Sequence, residues 1–216
     1  MASTYVVGIS GGSGSGKTSF LRALREQFEG QMTTFSQDDY YYPLDKIPLD
    51  KGGIHNFDLP ASIDSASMAT DIEQVLDGKS LTRQEYTFET SYREDDGERK
   101  AEREGKQLTY KPMPLLVVEG LFAFHEPALR RLMDLSLFVD VSDVAKMSRR
   151  IRRDRVERGL PLEDVLFRYE AHVLPAYKKY VEPHRSDADL IINNLDNFDR
   201  GLRVVRDHLA AVLAHG

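Results

Sequence analysis

Ser10-Gly11-Gly12-Ser13-Gly14-Ser15-Gly16-Lys17-Thr18 matches the pattern G-x-x-x-x-G-K-[ST] from Gly11 onward. Its flanks supply the context that the pattern needs. Tyr5-Val6-Val7-Gly8-Ile9 before it is an apolar run that predicts a buried strand. After it, Phe20, Leu21, Leu24 and Phe28 recur at helical spacing. Glycines let a backbone curl around phosphate oxygens where a Cβ would intrude. Successive N–H groups then point inward, and the helix N-terminus adds partial positive charge. Gly11, Gly12, Ser13, Gly14, Ser15 and Gly16 are therefore the expected phosphate cradle. Lys17 can reach the outer phosphates, and the Thr18 hydroxyl can ligate Mg²⁺. A Gly/Ser linker has similar composition, but it needs neither Lys-Thr after the last glycine nor a strand and helix on either side.

Downstream, apolar runs alternate with helical periods. Residues 32–36 predict a second strand that runs into Gln37-Asp38-Asp39-Tyr40-Tyr41, an acidic pair at a strand's carboxyl end, where open α/β sheets bind ligands. An Asp-rich turn with aromatic packing reads the same way from sequence. A helix is expected over residues 62–76, ending at Gly78. Residues 81–88 and 108–110 predict a hairpin around the charged insert 93–106, which reads as a solvated tip. Residues 114–120 predict a buried strand ending in Glu119, a second acidic group suited to hold Mg²⁺ or its waters. A short helix over 125–133 and a strand over 135–141 follow. Residues 143–158 then form an arginine-rich helix with Arg149, Arg150, Arg152, Arg153, Arg155 and Arg158. A solvated helix face explains most charge runs, but beside a phosphate cradle Arg is well suited to clamp polyphosphate. A helix over 162–181 bent at Pro175, a strand over 189–193 and a closing helix over 198–213 complete the chain. The alternation predicts one α/β domain: a doubly wound parallel sheet with helices on both faces and a projecting hairpin.

Composition narrows the function classes. The chain has 216 residues, and no segment approaches the roughly 18 apolar residues of a membrane span. Cysteine is absent, so disulfides and thiolate chemistry are excluded; this fits a reducing cytoplasm, as does an N-terminus that enters a strand at once. A net charge of −6 argues against general nucleic-acid binding. No membrane or nucleic-acid partner is expected.

With these residues in view, the chain resembles the uridine–cytidine kinases, within the phosphoribulokinase/uridine kinase family of P-loop kinases. The likeness rests on Gly11 to Thr18, Ser36-Gln37-Asp38 with Tyr41, Asn56-Phe57-Asp58-x-Pro60, Tyr86-x-Phe88, and Glu119-Gly120. It continues through Phe138-Val139-Asp140, Arg149-Arg150-x-x-Arg153-Asp154, Glu157-Arg158-Gly159, Glu182-Pro183 and Ala188-Asp189-x-Ile191-Ile192. The resemblance implies a single kinase domain with a substrate-binding hairpin over 82–112 and an arginine-bearing lid over 145–165. It implies ATP, with GTP as the alternative nucleotide, together with Mg²⁺ and a small nucleoside-like acceptor. It also implies a homo-oligomer, a tetramer or a dimer. By the same resemblance Asp38 is the general base, and Asp58 holds the ribose hydroxyls. Tyr86, Phe88 and Arg150 contact the acceptor, Arg153 and Arg158 meet the transferring phosphate, and Thr18 and Glu119 serve the metal.

Departures cluster on the acceptor side. Ser91 stands where members carry His or Tyr, Leu160 where they carry Arg, and Arg168 where they carry Gln; Asn193-Asn194 replaces a Pro-Arg-Gly turn. Two other readings therefore stay open: a related kinase with an acceptor whose anionic group Arg168 binds, and a nucleotide switch without small-molecule turnover.

Overall fold

A computed structural model describes residues 4–87, 105–156 and 158–215. Its centre is a parallel sheet in the order β2-β5-β1-β6-β7. The strands are β1 (Tyr5–Ser10), β2 (Met32–Ser36), β5 (Leu115–Glu119), β6 (Leu135–Asp140) and β7 (Leu190–Asn193). β1 lies between β5 and β6, with Val7 paired to Val117 on one side and Leu135 on the other. Strand side chains alternate between faces, and the core follows this period. Val6, Leu116, Val118 and Phe138 pack on one face with Met68 and Ile72 of α2 (Ser65–Leu76) and Leu129 of α3 (Pro127–Arg130). Val7, Val117, Leu137 and Val139 pack on the other with Phe20, Leu21 and Leu24 of α1 (Lys17–Gln27) and Val205 and Leu209 of α7 (Asp199–His215). β5 is buried throughout because helices cover both faces, so it reads as a continuous apolar run. Full burial of a side chain such as Phe20 contributes about 1.5–3 kcal/mol.

A second, two-stranded sheet pairs β3 (Leu81–Gln84) antiparallel with β4 (Gln107–Tyr110), with Leu81 opposite Tyr110 and Gln84 opposite Gln107. It joins the main body through Tyr110, which stacks on Phe35 at 4.2 Å between centroids, and through Thr33 Oγ1, which donates to the Lys111 carbonyl. The predicted strand over 81–88 is thus shorter, and Phe88 and most of the charged insert lie outside the described residues.

Several boundaries differ from expectation. α2 begins at Ser65 because Asp64 caps it, accepting from Ser67 N at 3.0 Å. The helix over 125–133 shrinks to α3, with Pro127 in its first turn. The last strand starts at Leu190, and the backbone N–H of Asp189 before it donates to Ser136 Oγ at 3.0 Å, a side chain outside the ladder. α4 spans Asp143–Val156. The expected helix over 162–181 begins as α5 (Leu162–Arg168), passes through π-helical turns at Tyr169–Val173 and Tyr177–Val181, and has only the short α6 (Leu174–Ala176) around Pro175. Proline lacks the N–H that a regular α-helix would use there, and the wider turns are where this segment accommodates it.

Candidate active site

The loop between β1 and α1 has the form that its glycines predict. Gly14 has φ 80° and Gly16 φ 100°, in the left-handed region. A Cβ on Gly14 would meet the Lys146 carbonyl at 2.4 Å, and one on Gly16 would meet Asn194 Nδ2 at 2.2 Å. No side chain caps α1, and its first turn carries no acid. Its leading N–H groups remain available to an anion. Lys17 Nζ folds over the loop, donating to the Gly11 and Gly12 carbonyls at 2.9 and 3.3 Å. Burial pulls the Lys17 ammonium below its usual pKa, while Glu119 and Asp38 oppose that pull. The Ser15 hydroxyl is fully buried without a hydrogen-bond partner. These features fit a phosphate-bearing ligand.

The carboxylates lie at the strand ends beside the loop. Glu119, 6% exposed at the end of β5, has its pKa pushed up by burial to about 7. Ser36 at the end of β2 ties Glu119 to the turn that carries Asp38: its hydroxyl donates to Glu119 Oε2 at 3.5 Å and accepts from the Asp38 backbone N–H at 3.3 Å. Asp38 occupies the 3₁₀ turn Gln37–Tyr40. Its side chain is exposed to solvent. The surrounding protein nonetheless pushes its carboxyl above the usual range, while Lys17, then Arg153 and Arg158, pull it back toward the ionised form. Among the described residues, no cluster of three or more His, Asp or Glu side chains could hold a metal alone. Mg²⁺ does not require one, since it is usually bound through one or two carboxylates, waters and substrate phosphates. The Thr18 hydroxyl and Glu119 fit that partial role. A cavity of about 430 Å³ runs from Asp38 and Glu119 along Thr18 and Arg25 of α1 to Thr34 of β2 and Lys111 after β4.

The arginine run does not act as one surface. Arg149 turns toward the chain after β7, donating to the Asn194 and Leu195 carbonyls at 2.9 and 3.0 Å. Arg150, Arg153 and Arg158 instead gather on Asp154, which is 2% exposed, at 3.1, 2.9 and 3.5 Å. Arg150 also donates to Ser13 Oγ at 2.9 Å and faces Asp58 at 3.7 Å, joining the phosphate loop to the opposite wall. That wall is aromatic: Tyr41 meets Phe57 at 5.6 Å and Tyr86 at 5.5 Å between centroids. Arg168 reaches the same segment, donating to the His55 carbonyl at 3.5 Å. Leu160 is buried, with its backbone N–H on the Asp154 carbonyl at 3.1 Å. Phe88 and Ser91 lie outside the described residues.

The sequence reading missed two roles. Asp154 is the hub of the arginines, and its spacing of four residues from both Arg150 and Arg158 was the available signal. Asn194 appeared only as a departure from a turn motif. Its amide nitrogen donates to the Ser15 carbonyl at 2.7 Å, clasping the phosphate loop from the end of β7. No local pattern announces a contact between residues so far apart.

The chain matches the phosphoribulokinase / uridine kinase family over residues 6–199. A uridine kinase of Chloroflexus aurantiacus is 35% identical over 192 residues, covering 88% of this chain and 87% of that protein. A uridine kinase of Ligilactobacillus salivarius is 33% identical over 188 residues, covering 87% and 84%. Among solved structures, phosphoribulokinase from Rhodobacter spheroides superposes with a TM-score of 0.57 at 14% identity, over 89% of this chain and 71% of that one. A possible uridine kinase from Bacillus stearothermophilus gives 0.61 at 17% identity, over 88% and 89%. These two structures share the fold: a parallel sheet flanked by helices, with the glycine loop leading into α1. The extent of the match and the identity to curated relatives go further than fold, and the chain belongs to the phosphoribulokinase/uridine kinase family as an ATP-dependent P-loop kinase.

Proposed function

We propose that this kinase transfers the γ-phosphoryl group of ATP to the 5′-hydroxyl of uridine or cytidine. The observation that carries this reading is the position of Asp38. Lys17, Arg153 and Arg158 act on its carboxyl, and Asp58 and Tyr41, which belongs to the aromatic wall with Tyr86, lie within electrostatic reach of it. Phosphoryl transfer is chiefly positioning and charge stabilisation, so a base flanked by cations on one side and acceptor-binding groups on the other has the required layout.

Residues 11–18 hold the phosphates through backbone N–H groups and the open end of α1. Thr18 and Glu119 would hold Mg²⁺, which would supply positive charge to offset that of the phosphates. Asp58 takes the ribose hydroxyls, and Arg150 fixes Asp58 relative to Ser13. Tyr86 contacts the nucleoside, and the family resemblance assigns Phe88 and Ser91 to the same acceptor. Asp38 accepts the proton of the attacking hydroxyl as the new O–P bond forms and the bond to the leaving ADP breaks. Lys17, Arg153 and Arg158 meet the charge that grows on the transferring group.

A second reading keeps the kinase and changes the acceptor. Arg168 stands where relatives carry Gln and bonds the segment that holds Asp58, which favours an acceptor with an anionic group. ADP release across a panel of nucleosides, sugars and phosphorylated or carboxylated alcohols separates the readings. Release that depends on uridine or cytidine supports the first. Release only with an anionic alcohol supports the second. No acceptor-dependent release leaves a nucleotide switch. In the first case Ser91→His should raise kcat/KM for at least one pyrimidine nucleoside, because the ring nitrogen can bond the base edge.

A further inference from the structure

The helical segment after the lid carries a buried polar side chain that phosphoryl transfer does not use. His172 sits in the π-helical turn Tyr169–Val173 and is 2% exposed. Its Nε2 lies 2.8 Å from Asp50 Oδ2. The other oxygen of Asp50 accepts from the backbone N–H groups of Gly52 and Ile54 at 2.8 and 2.9 Å. The turn closes through Asp50 N on the Ile54 carbonyl at 2.8 Å and Asn56 N on the Pro48 carbonyl at 2.8 Å. Asn56 then passes the order on: its Oδ1 accepts from Asp58 N at 3.0 Å, and its carbonyl accepts from Ser62 Oγ at 2.8 Å.

An imidazole taken out of water is costly unless it is partnered. Here its partner is a carboxylate whose remaining capacity is spent on the backbone of one turn. The same helical segment touches this turn again four residues earlier, where Arg168 donates to the His55 carbonyl. Apart from the isolated bridge Leu49↔His55, residues 48–58 belong to no strand or helix. Fixing such a segment costs about 1–2 kcal/mol of backbone entropy per residue. A buried anchor on a neighbouring helix is how the chain holds it still. The π-helical turn, which adds a residue to the helical period, sets the register of His172 within this face.

We propose that His172 is a positioning residue for the acceptor: through Asp50 it holds residues 48–58 so that Asp58 stands ready in the cleft. The proposal rests on the reading of Asp58 as an acceptor ligand. Misplacement by about 1 Å is enough to cost a large factor in rate or affinity.

His172→Leu removes the bond, and His172→Gln restores a donor near the position of Nε2. With uridine as acceptor, His172→Leu should raise the acceptor KM about tenfold while the KM for ATP stays at the wild-type value, and His172→Gln should recover most of the loss. Amide hydrogen exchange should quicken at Gly52 and Ile54 in the Leu variant, with β1 and β5 unchanged. If His172→Leu fails to fold, Asp50→Asn, on the turn itself, should give the same KM pattern. Unchanged exchange at Gly52 and Ile54 overturns the clamp. Quickened exchange with a wild-type acceptor KM overturns the positioning role. Asp58→Asn, measured in parallel, separates the two layers. A wild-type acceptor KM there overturns the reading of Asp58 and the proposal with it; a raised KM there, beside a wild-type KM in His172→Leu, overturns the positioning role of His172 alone.

Discussion

The nucleotide half and the acceptor half of the cleft are built in opposite ways. The first is nearly continuous in sequence, residues 10–18, and is made mostly of backbone: glycines in left-handed conformations, the open end of α1 and Lys17. The second, as proposed, draws side chains from many elements, with Asp38, Asp58, Tyr86, Arg150 and Arg168 spread over most of the chain. A backbone-made site tolerates little variation, because a Cβ at Gly14 or Gly16 has no room. A side-chain site can change one contact at a time. The departures from the family pattern touch both: Arg168 bonds the segment that leads to Asp58, whereas Asn194 clasps the phosphate loop, but from outside its glycine backbone.

If the halves are separable, Asp38→Asn should keep nucleotide binding and lose transfer. The expected fall in kcat is about 10²–10⁴-fold, the usual range for a general base. A comparable loss of ATP affinity, read by titration with a fluorescent nucleotide, would show that Asp38 belongs to both halves.

Asp154 is where the proposed halves meet, since it gathers Arg153 and Arg158, proposed to meet the transferring phosphate, together with Arg150, which faces Asp58. Asp154→Asn keeps the shape and removes the charge. A hydrogen bond to a charged group is worth about 1.5–3 kcal/mol, so kcat should drop about 10- to 100-fold. The expected mark of the hub is a change in both the acceptor KM and the nucleotide KM. A change in only one would assign Asp154 to that half alone.

The smallest effect concerns stability. Burial raises the Asp39 pKa from 3.8 to about 6, with Asp38 and Glu85 adding to the push and the Tyr86 N–H and Arg83 opposing it. Between those values the folded protein keeps a proton that the unfolded chain has shed. The contribution of Asp39 to stability therefore falls as pH rises from about 4 to about 6. Asn does not titrate, so the stability of Asp39→Asn relative to wild type should improve across that window and level off above it. Urea unfolding at several pH values measures the difference, and a flat difference would refute the burial of this carboxyl.

The legibility of the chain follows the same division. The phosphate loop, the alternating strands and helices and both carboxylates at strand ends were readable because each is a local pattern of types and spacings. Asp58, Tyr86 and Arg150 could be named only through family resemblance, since nothing near them in sequence specifies an acceptor. The Asn194 clasp and the Asp50–His172 bond escaped altogether. Each joins residues more than a hundred positions apart, and neither amide nor imidazole stands out within its own segment. The π-helical turns around Pro175 were not legible, because proline signals a lost hydrogen bond but not how the helix absorbs it.

The clasp from Asn194 to Ser15 also has a consequence for how the protein is made. β1 is central, yet its neighbours β5 and β6 lie at residues 115–119 and 135–140, and the residue that braces the loop after β1 follows β7. At about 5–20 residues per second of synthesis, roughly 9–35 s separate Thr18 from Asn194 leaving the peptidyl-transferase centre. The strands that flank β1 are made partway through that interval, but the brace comes only at its end. The earliest signature in the sequence becomes one of the last features to work, and a nascent chain halted before β7 should emerge unable to grip a nucleotide.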